Sequence, residues 1–89
     1  MRFDWNPARS ERNKQERGIG FDVAALVFEG DTIEWPDDRW DYGETRVRAI
    51  GEADSLVLHV VFTDCGDVRR IISARLANRK ERNRWHESR

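Results

Sequence analysis

The chain has 89 residues, of which 38% are hydrophobic and 37% charged, and this balance predicts one folded domain rather than a disordered segment. Its apolar runs are far shorter than the roughly 20 residues that a membrane helix needs, and its single cysteine, Cys65, excludes an internal disulfide. The N-terminus also lacks the apolar stretch of a signal peptide. These features predict a soluble cytoplasmic protein with no membrane partner.

Charge is distributed unevenly along the chain. Residues 1–44 carry six basic and eleven acidic side chains, a balance of -5, whereas residues 45–89 carry ten basic and six acidic, a balance of +4. A cationic half suits a polyanionic partner, because binding phosphates releases their counterions. The alternative is that the two halves neutralise each other.

Two helices are predicted in the first half of the chain. Asn6 followed by Pro7 is typical of an N-cap and first helical position, and predicts a polar helix over residues 7–17 that ends at Gly18. Asp22 is expected to cap a second, short and buried helix with the sequence VAALVFEG.

A strand and a loop are predicted to follow the second helix. Residues 32–35 alternate in hydropathy and indicate a strand, which Pro36 ends. Residues 37–43, DDRWDYG, indicate an acidic, aromatic loop. Its Trp40 and Tyr42 either pin the loop to the body of the protein or stack on nucleic-acid bases.

Three further strands are predicted at residues 44–51, 56–63 and 68–74, which are rich in Val, Ile and Leu. Turns at Ala53-Asp54 and Cys65-Gly66 would pair residues whose numbers sum to 107 in the first hairpin and 131 in the second. One sheet face would then be apolar, with Val47, Ala49, Leu58, Val60, Phe62 and Ile71. The other face would be polar, with Glu44, Arg46, Arg48, His59, Thr63 and Arg70, and Arg48 directly opposite His59.

The C-terminal segment predicts a third helix. The sequence NRKE at residues 78–81 is a capping box, in which Asn78 and Glu81 satisfy each other's backbone donors, so a helix should run over residues 79–87. Together the elements predict an α+β domain over residues 1–89, with an antiparallel sheet of about four strands, two N-terminal helices and a C-terminal helix.

The polar sheet face predicts RNA cleavage by the 2′-hydroxyl of the RNA itself. That reaction needs a base, an acid and cations around the phosphate, and it needs neither a metal nor another cofactor. Glu44 or His59 is a candidate base, while Arg46, Arg70 and Arg75 are candidate phosphate clamps, because guanidinium binds phosphate bidentately. Trp85 or Trp40 is a candidate platform for an unpaired base.

A structural interpretation of the same residues is open. A histidine within a strand is more often a packed residue than a catalyst, so His59 could serve only the fold. Arg46 and Arg48 could simply form the solvated face of the sheet and pair with Glu44. The sequence contains neither a CxxC nor an HExxH motif, so it does not indicate a protein zinc site.

Several blocks across nearly the whole chain resemble one protein family. They are FDWNPA at residues 3–8, Asn13, Gly18-Ile19, Phe21, Ala24 or Ala25, Phe28, DYGE at 41–44 with Arg46, Ile50-Gly51, Thr63 and RIISAR at 70–75. The chain resembles the BrnT family of toxin ribonucleases on these blocks, above all YGExR and RIISAR.

The resemblance implies a small RelE-like fold and a metal-independent endoribonuclease that arrests translation as the toxin of a type II toxin–antitoxin pair. It further implies a BrnA-like ribbon-helix-helix antitoxin, a heterotetramer of the two proteins, and binding of operator DNA through the antitoxin. The residues that match the family pattern, and so become site candidates, are Glu44, Arg46, Thr63, Arg70, Ser73 and Arg75.

The chain departs from the family pattern at three places. Glu16-Arg17 stands where the family usually has Lys-His, Cys65 where a basic residue is common, and Trp85 where an aromatic hydroxyl is common. Arg17 can hold phosphate, but it stays protonated and can hardly act as a base. The loss of the imidazole therefore suggests an alternative, a weakened or inactive homologue that binds the antitoxin as a corepressor. The basic segment 79–84 suggests a third reading, a stand-alone nucleic-acid-binding module.

Overall fold

A five-stranded sheet with the strand order β1-β5-β4-β3-β2 organises the computed structural model, which describes residues 1–89. The strands are β1 (Arg2–Asp4), β2 (Ile33–Pro36), β3 (Val47–Ala53), β4 (Leu56–Cys65) and β5 (Val68–Leu76). The helices are α1 (Pro7–Arg17), α2 (Phe21–Ala25), which continues as a 3₁₀ helix (Leu26–Glu29), and α3 (Arg79–Glu87). The predicted α+β class is confirmed, and none of the helices is both long and apolar enough to cross a membrane.

The predicted ends of α1 and α3 are confirmed by their caps. The Asn6 side chain accepts a hydrogen bond from the backbone N–H of Arg9 at 3.1 Å, and Gly18 ends α1 in the left-handed region at φ 79°. At α3, Asn78 and Glu81 form both hydrogen bonds of the capping box. The prediction for α2 was wrong at its start, since Gly20 rather than Asp22 is the N-cap. The backbone N–H of Phe21 is already satisfied by Ser10 Oγ at 2.9 Å.

The sheet differs from the predicted antiparallel sheet of about four strands. The three-residue strand β1 adds a fifth strand, and it runs parallel to β5 at the edge of the sheet. The pairing is extended by the backbone N–H of Arg2, which donates to the Asp67 carbonyl at 3.0 Å. This strand carries the start of α1 to the edge of β5.

Both predicted hairpin registers were wrong by a small shift. The turn between β3 and β4 lies at Asp54-Ser55, which both have positive φ as a two-residue hairpin turn requires, so paired numbers sum to 109. The second turn lies at Gly66-Asp67, and pairs near it sum to 133. Each shift moves partners by two residues, so the predicted faces survive near the turns.

A β-bulge in β5 changes which side chains share a face. Phe62 pairs with Ile71 but Val61 pairs with Ser73, so Ile72 is an extra residue. Beyond the bulge, Arg75 lies opposite His59. The predicted pair of Arg48 with His59 was wrong, because Arg48 pairs with Val61.

Two hydrophobic clusters lie on opposite faces of the sheet. The larger packs α2 and the 3₁₀ helix on the face that carries Val60 and Phe62, and the smaller packs Trp85 of α3 on Ile50 and Val57. The larger face requires a glycine at position 51, because a Cβ there would lie 2.8 Å from the Cβ of Val27. The short helix α2 and the 3₁₀ helix thus pack on one face, and α3 packs on the other.

Candidate functional site

A cleft of about 240 Å³ lies on the sheet face that α3 leaves open. Its lining brings together three predicted site residues, Glu44, Arg46 and Arg70, although 26 positions separate Glu44 from Arg70 in the chain. The remaining lining residues are Asn6, Arg9, Ile71 and Ile72. We call this group the Arg70 cleft.

The local structure fixes Arg46 at the entrance to β3. Its carbonyl accepts a hydrogen bond from the backbone N–H of Asp37 at 2.8 Å, which extends the pairing of β2 and β3 by one step. Its guanidinium carbon lies 4.0 Å from the ring centre of Tyr42, a cation–π contact. The Arg46 Nε lies 3.8 Å from Glu44 Oε2, and this buried nitrogen has no hydrogen-bond partner. The hydrogen-bonding capacity of this Nε is unused in the structure.

The loop before Glu44 carries two aromatic residues, of which Trp40 is exposed to solvent and Tyr42 packs against Arg46. Trp40 is 76% exposed, so it does not pin the loop to the protein body. Tyr42 is half-buried under Arg46. The buried Asp37 anchors the start of the loop, and hydrogen bonds from Arg39 lower the pKa of Asp37 to about 2.

Arg70 lies at the beginning of β5, between two neighbouring strands. Its Nη1 donates a hydrogen bond to Asp4 Oδ2 of β1, and its side chain is 48% exposed. Across the sheet it pairs with Thr63, whose hydroxyl donates to the Thr45 carbonyl at 2.6 Å. Thr63 therefore fixes the segment that carries Glu44 and Arg46.

Asn6 and Arg9 were not predicted as site residues. Arg9 stands in the first turn of α1, and Asn6 is the N-cap of that helix. They reach the cleft because β1 pairs with β5 and places the start of α1 beside Ile72. No spacing in the sequence indicates this neighbourhood.

A second group of predicted site residues forms an ion-pair network around Glu81 of α3. Arg75 donates to Glu81 through Nη1 and Nη2 at 2.8 and 3.0 Å, and Arg48 Nη2 lies 3.9 Å from Glu81 Oε2. Burial raises the pKa of Glu81, but the hydrogen bonds from Arg75 and from the Asn78 backbone outweigh it, and the pKa falls to about 2. Glu81 is therefore charged at neutral pH and bound on both oxygens.

His59 belongs to the same network and is sealed from solvent. It is 2% exposed, and its Nε2 accepts a hydrogen bond from Arg48 Nε at 3.0 Å. Burial lowers the pKa of His59 to about 4, and the charges of Arg75 and Arg48 lower it against the opposing effect of Glu81. The imidazole is neutral at pH 7. It lies four residues from Thr63 on β4, about 13 Å along the strand, so the structure does not bring it into the Arg70 cleft.

The other predicted RNA-binding residues lie outside the cleft. Trp85 is 3% exposed and packs in the smaller core, so the prediction that it stacks on a base was wrong. Ser73 pairs with Val61 within the sheet. Arg17 is exposed at the last turn of α1, about 12 Å along the helix axis from Arg9.

No group of three or more His, Cys, Asp or Glu side chains is arranged to hold a metal ion. The residues of the cleft instead suit an anion, with three guanidinium groups from Arg9, Arg46 and Arg70 around one carboxylate of its lining.

Comparison with known proteins assigns the chain to a family. The family model described as "Ribonuclease toxin, BrnT, of type II toxin-antitoxin system" matches residues 5–81, which include every residue of the Arg70 cleft. No individual curated protein matches the chain. The chain therefore belongs to the BrnT family of ribonuclease toxins of type II toxin–antitoxin systems.

Proposed function

We propose that the Arg70 cleft is the ribonuclease site and that it binds one phosphodiester of RNA between Arg46 and Arg70. The observation that carries the proposal is the convergence of these two guanidinium groups and the Glu44 carboxylate on one open cleft. Planar guanidinium groups bind phosphate oxygens bidentately. The cleft thus supplies both a clamp for the phosphate and a basic group beside it.

In the proposed reaction Glu44 takes the proton of the RNA 2′-hydroxyl. The 2′-oxygen then attacks the phosphorus, the bond to the 5′-oxygen breaks, and the leaving oxygen takes a proton from water. Arg46 and Arg70 neutralise the charge that develops on the non-bridging oxygens. The products are a 2′,3′-cyclic phosphate and a 5′-hydroxyl, and no metal takes part.

Two contacts of the free protein are weak enough for RNA to replace them. The ion pair of Arg70 with Asp4 lies between half-exposed side chains, and such pairs contribute about 0–1 kcal/mol. The contact of Arg46 Nε with Glu44 is long at 3.8 Å. Exposed Trp40, four residues before Glu44, is available to stack on an unpaired base next to the bound phosphate.

The proposed partners follow from family membership. A type II toxin acts with an antitoxin, and we propose a BrnA-like ribbon-helix-helix protein, a heterotetramer with this chain in the cytoplasm, and operator binding through the antitoxin. A RelE-like classification of the fold is part of the same proposal. Titrating the purified toxin with such an antitoxin should abolish RNA cleavage.

The test is cleavage of RNA by purified protein in the presence of EDTA. We expect fragments with 2′,3′-cyclic phosphate ends, and no cleavage where 2′-deoxynucleotides replace the cleaved position. Glu44→Gln should lower the rate by about 10²-fold or more, as expected for loss of a general base. Glu11→Gln, which removes an exposed carboxylate on α1, is the matched control and should cleave normally. Intact RNA over a wide pH range would instead favour the corepressor.

A further inference from the structure

A second basic surface lies along α3, outside the Arg70 cleft. It consists of two adjoining depressions of about 290 and 520 Å³ that share Lys80 and Arg84. The inner one lies against the sheet and is lined by Trp35, Arg48, Ile50, Asn78, Lys80, Glu81 and Arg84, and the outer one by Arg79, Lys80, Asn83, Arg84 and Glu87. We call the cations Arg48, Arg79, Lys80 and Arg84 the α3 track.

The fold supplies no ion-pair partner for the cations of α3 in this track. Arg79 and Lys80 occupy the first two positions of the helix, where the positive end of the helix dipole disfavours a cation. None of Arg79, Lys80 and Arg84 lies within 4.0 Å of a carboxylate oxygen. The nearby Glu81 carboxylate is already bound by Arg75. Three uncompensated cations on a chain of net charge -1 indicate a site for a polyanion.

Two of the guanidinium groups are held in place by one aromatic ring. Arg48 and Arg84 lie 5.0 and 4.8 Å from the ring centre of Trp35, distances at which a cation is attracted to the ring. Arg48 also donates to His59 at 3.0 Å. The inner depression is therefore lined by positioned donors.

The α3 track continues the Arg70 cleft on the same face of the sheet. Arg46 and Arg48 are two residues apart in extended backbone, so both project from that face, about 7 Å apart along the strand. Positive charge then runs from Arg70 through Arg46 and Arg48 to Arg84. A polymer whose phosphate sits in the cleft can extend along β3 towards the inner depression, which Arg48 and Arg84 line.

We infer that the α3 track binds the backbone of the same single-stranded RNA, at phosphates outside the Arg70 cleft. The inference rests on the proposed ribonuclease function of the Arg70 cleft. It adds a binding surface for the RNA that flanks the cleaved phosphodiester. Continuity with the cleft favours RNA over the other polyanion that could fit, an acidic polypeptide. The track therefore makes cleavage depend on RNA length as well as on the cleaved phosphodiester.

The first test measures binding without cleavage. A 12-nucleotide RNA with 2′-O-methyl groups is titrated at several salt concentrations, because the logarithm of affinity falls with the logarithm of salt by about 0.7 per neutralised phosphate of a single strand. Lys80→Gln with Arg84→Gln should make this slope shallower by about 1.4. The matched control, Arg12→Gln with Lys14→Gln, removes two exposed cations of α1 and should leave the slope unchanged.

A second variant separates loss of charge from loss of packing. Arg79→Gln with Lys80→Gln touches no aromatic ring and should also make the slope shallower. In cleavage assays, both variants should raise KM at least 10-fold for a 12-nucleotide RNA and leave kcat unchanged. Neither should change the cleavage of a dinucleotide, because its single phosphodiester occupies the cleft and leaves no phosphate for the track.

The outcomes distinguish the inference from the proposed function. Cleavage of both RNAs with wild-type KM in both variants would overturn the α3 track and leave the ribonuclease site intact. Failure of the wild-type protein to cleave, with a slope that still depends on the track, would overturn the cleavage proposal and support RNA binding here. Unchanged RNA binding with weakened association of a poly-glutamate peptide would assign the surface to an acidic polypeptide and refute the inference.

Discussion

Replacing Glu81 with glutamine removes the carboxylate around which Arg48, His59 and Arg75 are arranged, while it keeps the size of the side chain. The capping box of α3 survives, because glutamine also serves at its third position. Arg75, however, loses its bidentate partner. The substitution therefore tests whether this network stabilises the fold.

The pKa of Glu81 gives the expected size of the effect. Its value falls from 4.5 to about 2 on folding, and a tenfold change in proton affinity corresponds to about 1.4 kcal/mol. The charged carboxylate thus stabilises the folded state by about 3 kcal/mol relative to a neutral side chain. This agrees with the cost of about 3–5 kcal/mol for breaking a buried ion pair. In a domain of this size the melting temperature should fall by roughly 10–20 °C.

Urea unfolding at pH 7, followed by tryptophan fluorescence, measures this loss. Glu87→Gln is the control, since it removes an exposed carboxylate of the same helix and should change the free energy of unfolding by less than about 0.5 kcal/mol. Because folding lowers the pKa of Glu81, its contribution is present above pH 4.5 and lost as the pH falls through 2. The wild type and Glu81→Gln should therefore converge in acid. A loss below about 0.5 kcal/mol at pH 7 would refute the reasoning.

Three further predictions concern stability. Folding lowers the pKa of His59 from 6.5 to about 4, so the free energy of unfolding should fall by about 2 kcal/mol between pH 7 and 5. In urea titrations, the free energy of unfolding of His59→Gln should depend less on pH than that of the wild type. An unchanged pH dependence would contradict the assignment. Gly51→Ala should cost about 1–3 kcal/mol, because its Cβ would meet Val27 at 2.8 Å, whereas Gly30→Ala has open space and should be nearly neutral in the same assay. Trp85→Phe should lower the free energy of unfolding by about 1–2 kcal/mol and leave RNA affinity unchanged, and weaker RNA binding by the folded variant would restore Trp85 as a base platform.

Local chemistry made α1 and α3 predictable. The ends of α1 and α3 are set by Asn6, Gly18 and the capping box at 78–81, and each of these signals acts within a few residues. Strand pairing depends on distant partners. The three residues of β1 are too few for a periodic pattern, and their parallel partner β5 is more than 60 residues away.

The hairpin registers show how a turn prediction fails. Asp54 and Ser55 form the first turn with positive φ although neither is a glycine, and the favoured glycine signal was therefore absent. The bulge at Ile72 has no sequence signal. It nevertheless decides the site, because it turns Arg75 towards His59 and Glu81.

The residues predicted for one site lie in two separate groups, and the sequence could not divide them. Glu44, Arg46 and Arg70 meet in the cleft, whereas Arg75 and His59 meet in the network beneath α3. The division depends on Glu81, which the capping box identified as a helix residue and which nothing in its spacing marks as the partner of the sheet arginines. Arg70 and Arg75 belong to the same RIISAR block, and this proximity in the sequence concealed their separation into two groups.

In the proposed reaction, two guanidinium groups in the Arg70 cleft hold the phosphodiester during cleavage. The most direct measurement is the single-turnover cleavage rate of Arg46→Gln with Arg70→Gln at saturating RNA, compared with Arg12→Gln plus Lys14→Gln. Loss of one donor to a developing oxyanion typically costs about 10²–10³-fold in rate. We predict a loss of at least about 10³-fold in the cleft variant and a normal rate in the control. A cleft variant that is folded and cleaves within about threefold of the wild-type rate would contradict the account.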